Sequence, residues 1–354
     1  MKTISKVFSC ILAFSSLLGS VEGQNRYKIW YDKPASYWEE ALPIGNGRIA
    51  AMVFGDPQLE QIQLNEETVS AGSPYQNYNE EAKTALPEMR RLIFEGKYEE
   101  AQNMAATKIL SQVGNEMPYQ TVGRLNIRYQ DHKKVSNYYR DLDISNAMTV
   151  TRYKVDGVEF TEETFASFTD QLVIRHIKSS KPGAINCELF FNTPMRDPKR
   201  SIYGKKGLRL EGITHGSRYF PGKVHYCADL DVKNKGGEVT MANDTLLSVQ
   251  GASELTLYIS MATNFVNYKD ISGDPYQRNK TYLKNAEKEY DKAKAAHIAA
   301  YQEQFNRVTL DLGETSQVNK PMDVRIKEFS SSYDPALIAL YFQYGRYLLI
   351  ASSQ

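Results

Sequence analysis

Between residues 122 and 263 the apolar positions recur at every second residue. Leu125, Ile127 and Tyr129 alternate with Asn126 and Arg128. The strand-like pattern returns over 148–155, 158–160, 172–177, 208–213, 224–232, 239–241, 246–249 and 255–261. Ile185, Cys187, Leu189 and Phe191 share one further apolar face. A period of two sends successive side chains to opposite faces, so each stretch predicts a strand with one buried side. Asp156-Gly157, Lys181-Pro182-Gly183, Gly236-Gly237 and Asn243-Asp244 punctuate the stretches. Asp-Gly is the dipeptide of a tight hairpin. Nine or more antiparallel strands separated by such turns predict a β-sandwich of large size. Two short strands upstream, 49–54 and 60–64, flank the turn Gly55-Asp56-Pro57.

Elsewhere the period is helical. Met89, Leu92, Ile93 and Phe94 mark one stripe, Gly96 interrupts, and Ala101, Met104, Ala105 and Ile109 resume it. This predicts two helices joined at a glycine. Residues 282–305 are rich in Lys, Glu and Ala without a strong apolar face, the pattern of a helix that bridges domains or lies on a surface. Asp334-Pro335 then supplies an N-cap and a first helical position. Leu337, Leu340, Tyr341, Tyr344, Leu348 and Leu349 form a broad apolar stripe behind it, and the chain stops at Gln354. The expected fold is mostly β with a helical C-terminal part: a sandwich domain over 24–275, a helical linker over 276–333, and the start of a further helical domain at 334–354.

The N-terminus changes the picture of where the protein works. Lys2 and Lys6 precede an apolar run over 7–18, and Val21-Glu22-Gly23 offers a cleavage site. Residues 1–23 therefore read as a signal peptide, and the protein is expected to be secreted or periplasmic. The run is shorter than the roughly 20 apolar residues a membrane span needs. A formal net charge of +1 gives no electrostatic case for a nucleic-acid or anionic-membrane partner. Cys187 and Cys227 remain after processing, but alternation puts Cys187 on an apolar face and Cys227 on a polar one, so no disulfide is expected. His225, Cys227 and Asp229 read as a solvated strand face and not as a metal site. His132, His176, His215, His225 and His297 are scattered, and no glycine-rich phosphate loop is present. Glu39-Glu40, Glu66-Glu67 and Glu162-Glu163 are adjacent pairs, and neighbours in a strand point apart. They read as solvated or capping carboxylates, and Asp170 and Asp229 stand out no further.

The front block is the most specific stretch. It runs Ile29-Trp30-Tyr31-Asp32-Lys33-Pro34-Ala35, then Trp38-Glu39-Glu40-Ala41-Leu42-Pro43-Ile44-Gly45-Asn46-Gly47-Arg48, then Ala51-Met52-Val53-Phe54-Gly55 and Ile62-Gln63-Leu64-Asn65-Glu66-Glu67-Thr68. Met117-Pro118-Tyr119-Gln120 and the segment 340–349 extend it. This block resembles the N-terminal signature of glycoside hydrolase family 95, the inverting α-L-fucosidases, some of which act on α-L-galactosides. Ile49-Ala50 and Val69-Ser70-Ala71-Gly72-Ser73 depart from the usual Leu-Gly and Leu-Trp-Ser-Gly-Gly; the second departure falls in a loop that should face the active-site cleft. The resemblance implies a supersandwich-like β domain, a helical linker, and at 334–354 the first helix of a truncated (α/α)6 barrel. It further implies a fucosylated oligosaccharide or a plant or host glycan as partner, and no metal or nucleotide cofactor.

The family's catalytic Glu and Asp belong to the barrel and would fall after Gln354, so no catalytic residue is expected in this chain. Trp38, Glu39, Asn46, Arg48, Asn65 and Glu66 are the candidate substrate-binding residues at the sandwich–barrel junction. Amides and carboxylates suit sugar hydroxyls, and a flat ring suits the C–H face of a pyranose. The same residues also fit a structural role, with a tight Gly45-Asn46-Gly47 turn, a core Trp38 and an Arg48–Glu66 pair. Two other functions fit the sequence: a non-catalytic glycan-binding sandwich, and the front domain of an inverting glycoside phosphorylase.

Overall fold

The computed structural model describes residues 26–111, 117–216, 220–287 and 289–353. The expected signal peptide lies outside them. Among the described residues there are sixteen strands. The first four are β1 (Lys28–Tyr31), β2 (Leu42–Gly45), β3 (Ile49–Val53) and β4 (Leu59–Glu66). Two helices follow, α1 (Ala82–Phe94) and α2 (Tyr98–Met104), before β5 (Gly123–Tyr129), β6 (Val135–Asp143), β7 (Met148–Val155), β8 (Val158–Ala166) and β9 (Val173–Ser179). Then come β10 (Ile185–Asn192), β11 (Arg196–Tyr203), β12 (Gly207–Ile213), β13 (His225–Lys235), β14 (Glu238–Asn243), β15 (Leu246–Ala252) and β16 (Glu254–Thr263). The chain closes with α3 (Pro275–Leu283), α4 (Tyr290–Phe305), α5 (Met322–Glu328) and α6 (Pro335–Ala351).

The strands form two antiparallel sheets. One has nine strands in the order β1-β6-β7-β8-β9-β16-β13-β12-β11, the other seven in the order β14-β15-β10-β5-β4-β3-β2. Their facing sides make one core, with Ile62, Leu64, Leu125, Ile127 and Leu189 from the smaller sheet and Leu142, Tyr153, Ile177, Leu230 and Leu257 from the larger. This is the expected sandwich, built from more strands than the turns delimit. The predicted hairpin at Asp156-Gly157 is present, with φ of 48° and 82°, the pair of positive values such a turn requires. The helix pair joined at Gly96 is present too: Gly96 sits at φ +75°, and Lys97 donates its N–H back to the Leu92 carbonyl. This positive-φ residue and backward bond close the end of α1.

The larger sheet is covered on its second face as well. Met148, Phe165, Leu172, Ile174 and Tyr258 meet Ala286 and Ala293 there. This overturns the solvated reading of the Cys227 face. Cys227 and Asp229 are fully buried. Asn279 of α3 donates to the Cys227 carbonyl at 3.0 Å, and Arg209 grips both Asp229 oxygens at 2.6 and 2.8 Å. Both cysteines are free and buried. The predicted single helix over 282–305 is broken: α3 ends at Leu283 and α4 begins at Tyr290. The stripe Ala293, His297, Tyr301 and Phe305, spaced by four, is buried. Nor are the glutamates all solvated. Glu60, Glu66 and Glu162 lie at inward strand positions and are buried, as is Asp170.

Candidate functional site

The rim of the sandwich where β2 turns into β3 carries a connected set of polar residues. Asn46 is wholly buried at the turn. Its Oδ1 accepts from the N–H of Arg48 and of Ile49, at 3.2 and 2.9 Å, and its Nδ2 donates to the Ser167 carbonyl at 2.7 Å. An asparagine thus closes the turn from inside and ties it to the β8–β9 loop. The glycines on either side have another task. Gly47 donates its N–H to the Ala351 carbonyl at 2.8 Å, and a Cβ at Gly45 would lie 2.5 Å from that same oxygen. Only glycine lets the last turn of α6 come so near. Tyr347, also on α6, donates its hydroxyl to the Pro43 carbonyl at 2.7 Å. The turn is therefore the seat on which the helical part docks.

Arg48 spans four elements. Its Nε donates to Gln171 Oε1 at 2.7 Å and its Nη1 to the Met261 carbonyl at 2.7 Å. Nη2 reaches the Gln171 carbonyl at 3.3 Å, Nη1 lies 3.4 Å from Glu66 Oε1, and the guanidinium rests 4.5 Å from the Tyr282 ring centre. Glu66 also accepts from the Thr68 N–H and hydroxyl, at 2.8 and 2.6 Å. Burial pushes the Glu66 carboxyl above its ordinary range, against the pull of those Thr68 bonds and of Arg48. Thr68 Oγ1 is hydrogen-bonded in turn to Thr263 Oγ1 at the end of β16.

Asn65 pairs in register with Ala50, next to Glu66 opposite Ile49. It points to the other face of β4, where Thr121 Oγ1 lies 3.5 Å from its Oδ1. Tyr119 donates to the Glu66 carbonyl at 3.1 Å, and burial, opposed by a bond to Asn65, pushes its phenol up to about 12.

Beside this rim opens a cavity of about 670 Å³, lined by Glu67, Ser73, Tyr75, Met117, Phe265 and Tyr268 among others. The Tyr75 ring leans on Phe220 with centres 4.1 Å apart. A carboxylate, hydroxyls and flat rings around one hollow can take a hydroxyl-rich ligand. The loop 69–73, singled out from the sequence, supplies Ser70, Ala71 and Ser73 to its wall. Tyr75, Phe265 and Tyr268 were not foreseen; they sit in loops, where periodicity carries no signal.

The six candidates thus separate. Asn46, Arg48 and Glu66 are joined at the rim, and Asn65 borders it from the other face of β4. Trp38 is not in the core: it is 50% exposed and lies beside Phe54, Gln61 and Arg124, off the far end of β2. Glu39 borders a third place, an apolar groove of about 690 Å³ between β1–β2 and α5–α6. The adjacent glutamates do not form a facing pair. Glu60 and Glu162 do converge, both on Arg175, but all three are sealed between the sheets. Among the described residues no group of three His, Cys, Asp or Glu side chains is placed to hold a metal ion, and no helix is long and apolar enough to cross a membrane.

Residues 29–268 match the family model described as the glycosyl hydrolase family 65 N-terminal domain, and residues 289–354 match the glycosyl hydrolase family 95 catalytic domain. The chain belongs to the proteins that carry the glycosyl hydrolase family 65 N-terminal domain, and its C-terminal helices are similar to the family 95 catalytic domain. It is 32% identical to α-L-fucosidase 2 of Arabidopsis thaliana over 92% of this chain and 42% of that protein. It is 27% identical to the probable α-fucosidase A of Aspergillus niger, over 92% of this chain and 43% of the relative. The chain therefore spans less than half the length of these two relatives. A bacterial glucoamylase complexed with acarbose shares 8% identity at a TM-score of 0.36, covering 79% of this chain and 40% of that one.

Proposed function

We propose that this chain is the front portion of an exported glycoside hydrolase that removes terminal α-L-fucose from plant or host glycans with inversion, α-L-galactosides being a related substrate. The observation that carries this reading is the 92% of the chain aligned with a protein named α-L-fucosidase 2. Export is supported by the charged and apolar pattern of residues 1–23. Inverting hydrolysis needs one carboxylic acid to protonate the leaving oxygen and a second carboxylate, roughly 6.5–9.5 Å away, to activate water. The carboxylates this fold brings together, Glu60 and Glu162, are beyond the reach of a substrate. The work of this chain is binding and bracing: Tyr75 and Tyr268 offer faces to the sugar, Glu67 and Ser73 offer hydrogen bonds, and Asn46, Arg48 and Glu66 brace the β2–β3 turn on which α6 is seated. Incubated alone with 2′-fucosyllactose, the chain is expected to release no fucose. Followed by a complete family 95 catalytic domain, it releases fucose readily. Release by the chain alone, or none from the completed protein, overturns the reading.

A further inference from the structure

The segment Pro34–Trp38 folds over the outer face of the smaller sheet and encloses a pocket of about 420 Å³ with Phe54, Asp56, Gln61 and Arg124. The segment is held in place. Ala35 donates its N–H to the Phe54 carbonyl at 3.0 Å, Ser36 donates to Glu40 Oε2 at 2.7 Å, and Ala41 closes a 3-10 turn on the Trp38 carbonyl at 3.1 Å. On this fixed backbone Tyr37 and Trp38 stay 57% and 50% exposed. Opposite them, Arg124 Nη1 donates to Gln61 Oε1 at 2.5 Å, and the guanidinium lies 5.8 Å from the Phe54 ring centre. Asp56, which also lines the pocket, accepts with Oδ1 from the N–H groups of Gln58 and Leu59, at 2.8 and 3.1 Å.

The geometry points to a carbohydrate-binding pocket for a neutral pyranose oligosaccharide, separate from the rim cavity. A half-exposed indole on an anchored backbone offers an apolar face for sugar C–H groups. One amide, one carboxylate and one guanidinium supply acceptors and donors for hydroxyls. The two charges cancel, which favours a neutral ligand over a charged one. The pocket and the rim lie at opposite ends of β2 and β3. At about 3.3 Å per residue, a strand of four or five residues sets them on the order of 15 Å apart. One chain of sugars could touch both. The ligand class rests on the chemistry of the pocket and not on the fucosidase reading.

Calorimetric titration of the chain with cellotetraose and with 2′-fucosyllactose tests the assignment. At least one is expected to bind at millimolar strength or better, and Trp38→Ala to weaken it roughly tenfold or more, a loss of about 1.4 kcal/mol. Gln61→Ala, which leaves the indole in place, is expected to weaken it as well, while Trp38→Phe retains part of the affinity. Both alanine variants should keep the parent melting temperature within a degree or two, because neither side chain belongs to the core. No binding of either sugar up to about 10 mM, or equal binding by Trp38→Ala, overturns it. Fucose release is scored separately, so failure of the fucosidase reading and failure of this pocket are told apart.

Discussion

Replacing Arg175 with methionine is expected to lower the free energy of unfolding by about 3–5 kcal/mol, the usual cost of stripping one partner from a buried ion pair. Arg175 is fully buried between the sheets. Its Nη2 donates to Glu60 Oε2 at 2.9 Å and to Glu162 Oε2, and its Nη1 to Thr164 Oγ1 at 2.8 Å. The far oxygens are occupied as well. Phe54 and Gly55 donate their N–H groups to Glu60 Oε1 at 3.1 and 3.0 Å, and Tyr129 and Tyr153 donate their hydroxyls to Glu162 Oε1. Methionine would leave two carboxylates facing each other in a dry core.

Glu60 already shows the tension of that place. Burial raises its carboxyl to about 7; Arg175 opposes the rise, and Glu162 adds to it. A carboxyl raised on folding stabilises the fold while protonated. That contribution is present below its unfolded value of 4.5 and is lost as pH climbs through about 7. Glu60→Gln, neutral at every pH, should remove this slope. Between pH 4.5 and 7 its stability should rise relative to that of the parent. Urea unfolding across that range reads both variants. An Arg175→Met protein within 1 kcal/mol of the parent would contradict the account of the core.

Arg48→Met is the second large effect, expected to cost about 3 kcal/mol from several charge-assisted hydrogen bonds that are not independent. The loss is of position more than of charge. The guanidinium joins the β3 turn to the side-chain and backbone oxygens of Gln171, to the Met261 carbonyl, to Glu66 and to the ring of Tyr282. Lysine carries the charge without the planar fork, so Arg48→Lys should recover less than half of the loss. Because Gly47 beside it holds Ala351, the C-terminal turn of α6 should also become a site of limited proteolysis in Arg48→Met. Urea unfolding and a timed digest read the two effects. A variant that keeps the parent stability and resists digestion would mean that the rim does not depend on Arg48.

Much of this was legible in the chain, for reasons specific to each element. Leu125 to Tyr129 and Leu255 to Met261 read as strands because one side of each faces the other sheet. Asp334-Pro335 read as a helix start, and Asp334 Oδ1 does accept from the Leu337 N–H at 3.0 Å. Of the apolar stripe behind it, Leu340 is buried, whereas Tyr341 and Leu349 stay exposed. Strands β2 and β11 escaped because they lie at sheet edges, where Pro43 and Pro198 are tolerated and alternation is weak. Cys227 was misplaced because alternation tells which residues share a face and not whether a helix covers it. The Glu60–Arg175–Glu162 cluster did leave a trace. Glu60 is in phase with Ile62 and Leu64, and Arg175 with Val173 and Ile177, so both charges occupy inward positions. Trp38 and Asn46 are eight residues apart in one motif, yet a strand carries them to opposite ends of the sheet.

The proposed function is inversion of an α-L-fucosyl bond by the hydrolase that this sandwich serves. Its most direct test is proton NMR of 2′-fucosyllactose during the first minutes of cleavage by the chain followed by a complete family 95 catalytic domain. β-L-fucose is expected to appear first, at a rate that added phosphate does not change. Fucose 1-phosphate, or α-L-fucose as the first product, would contradict it.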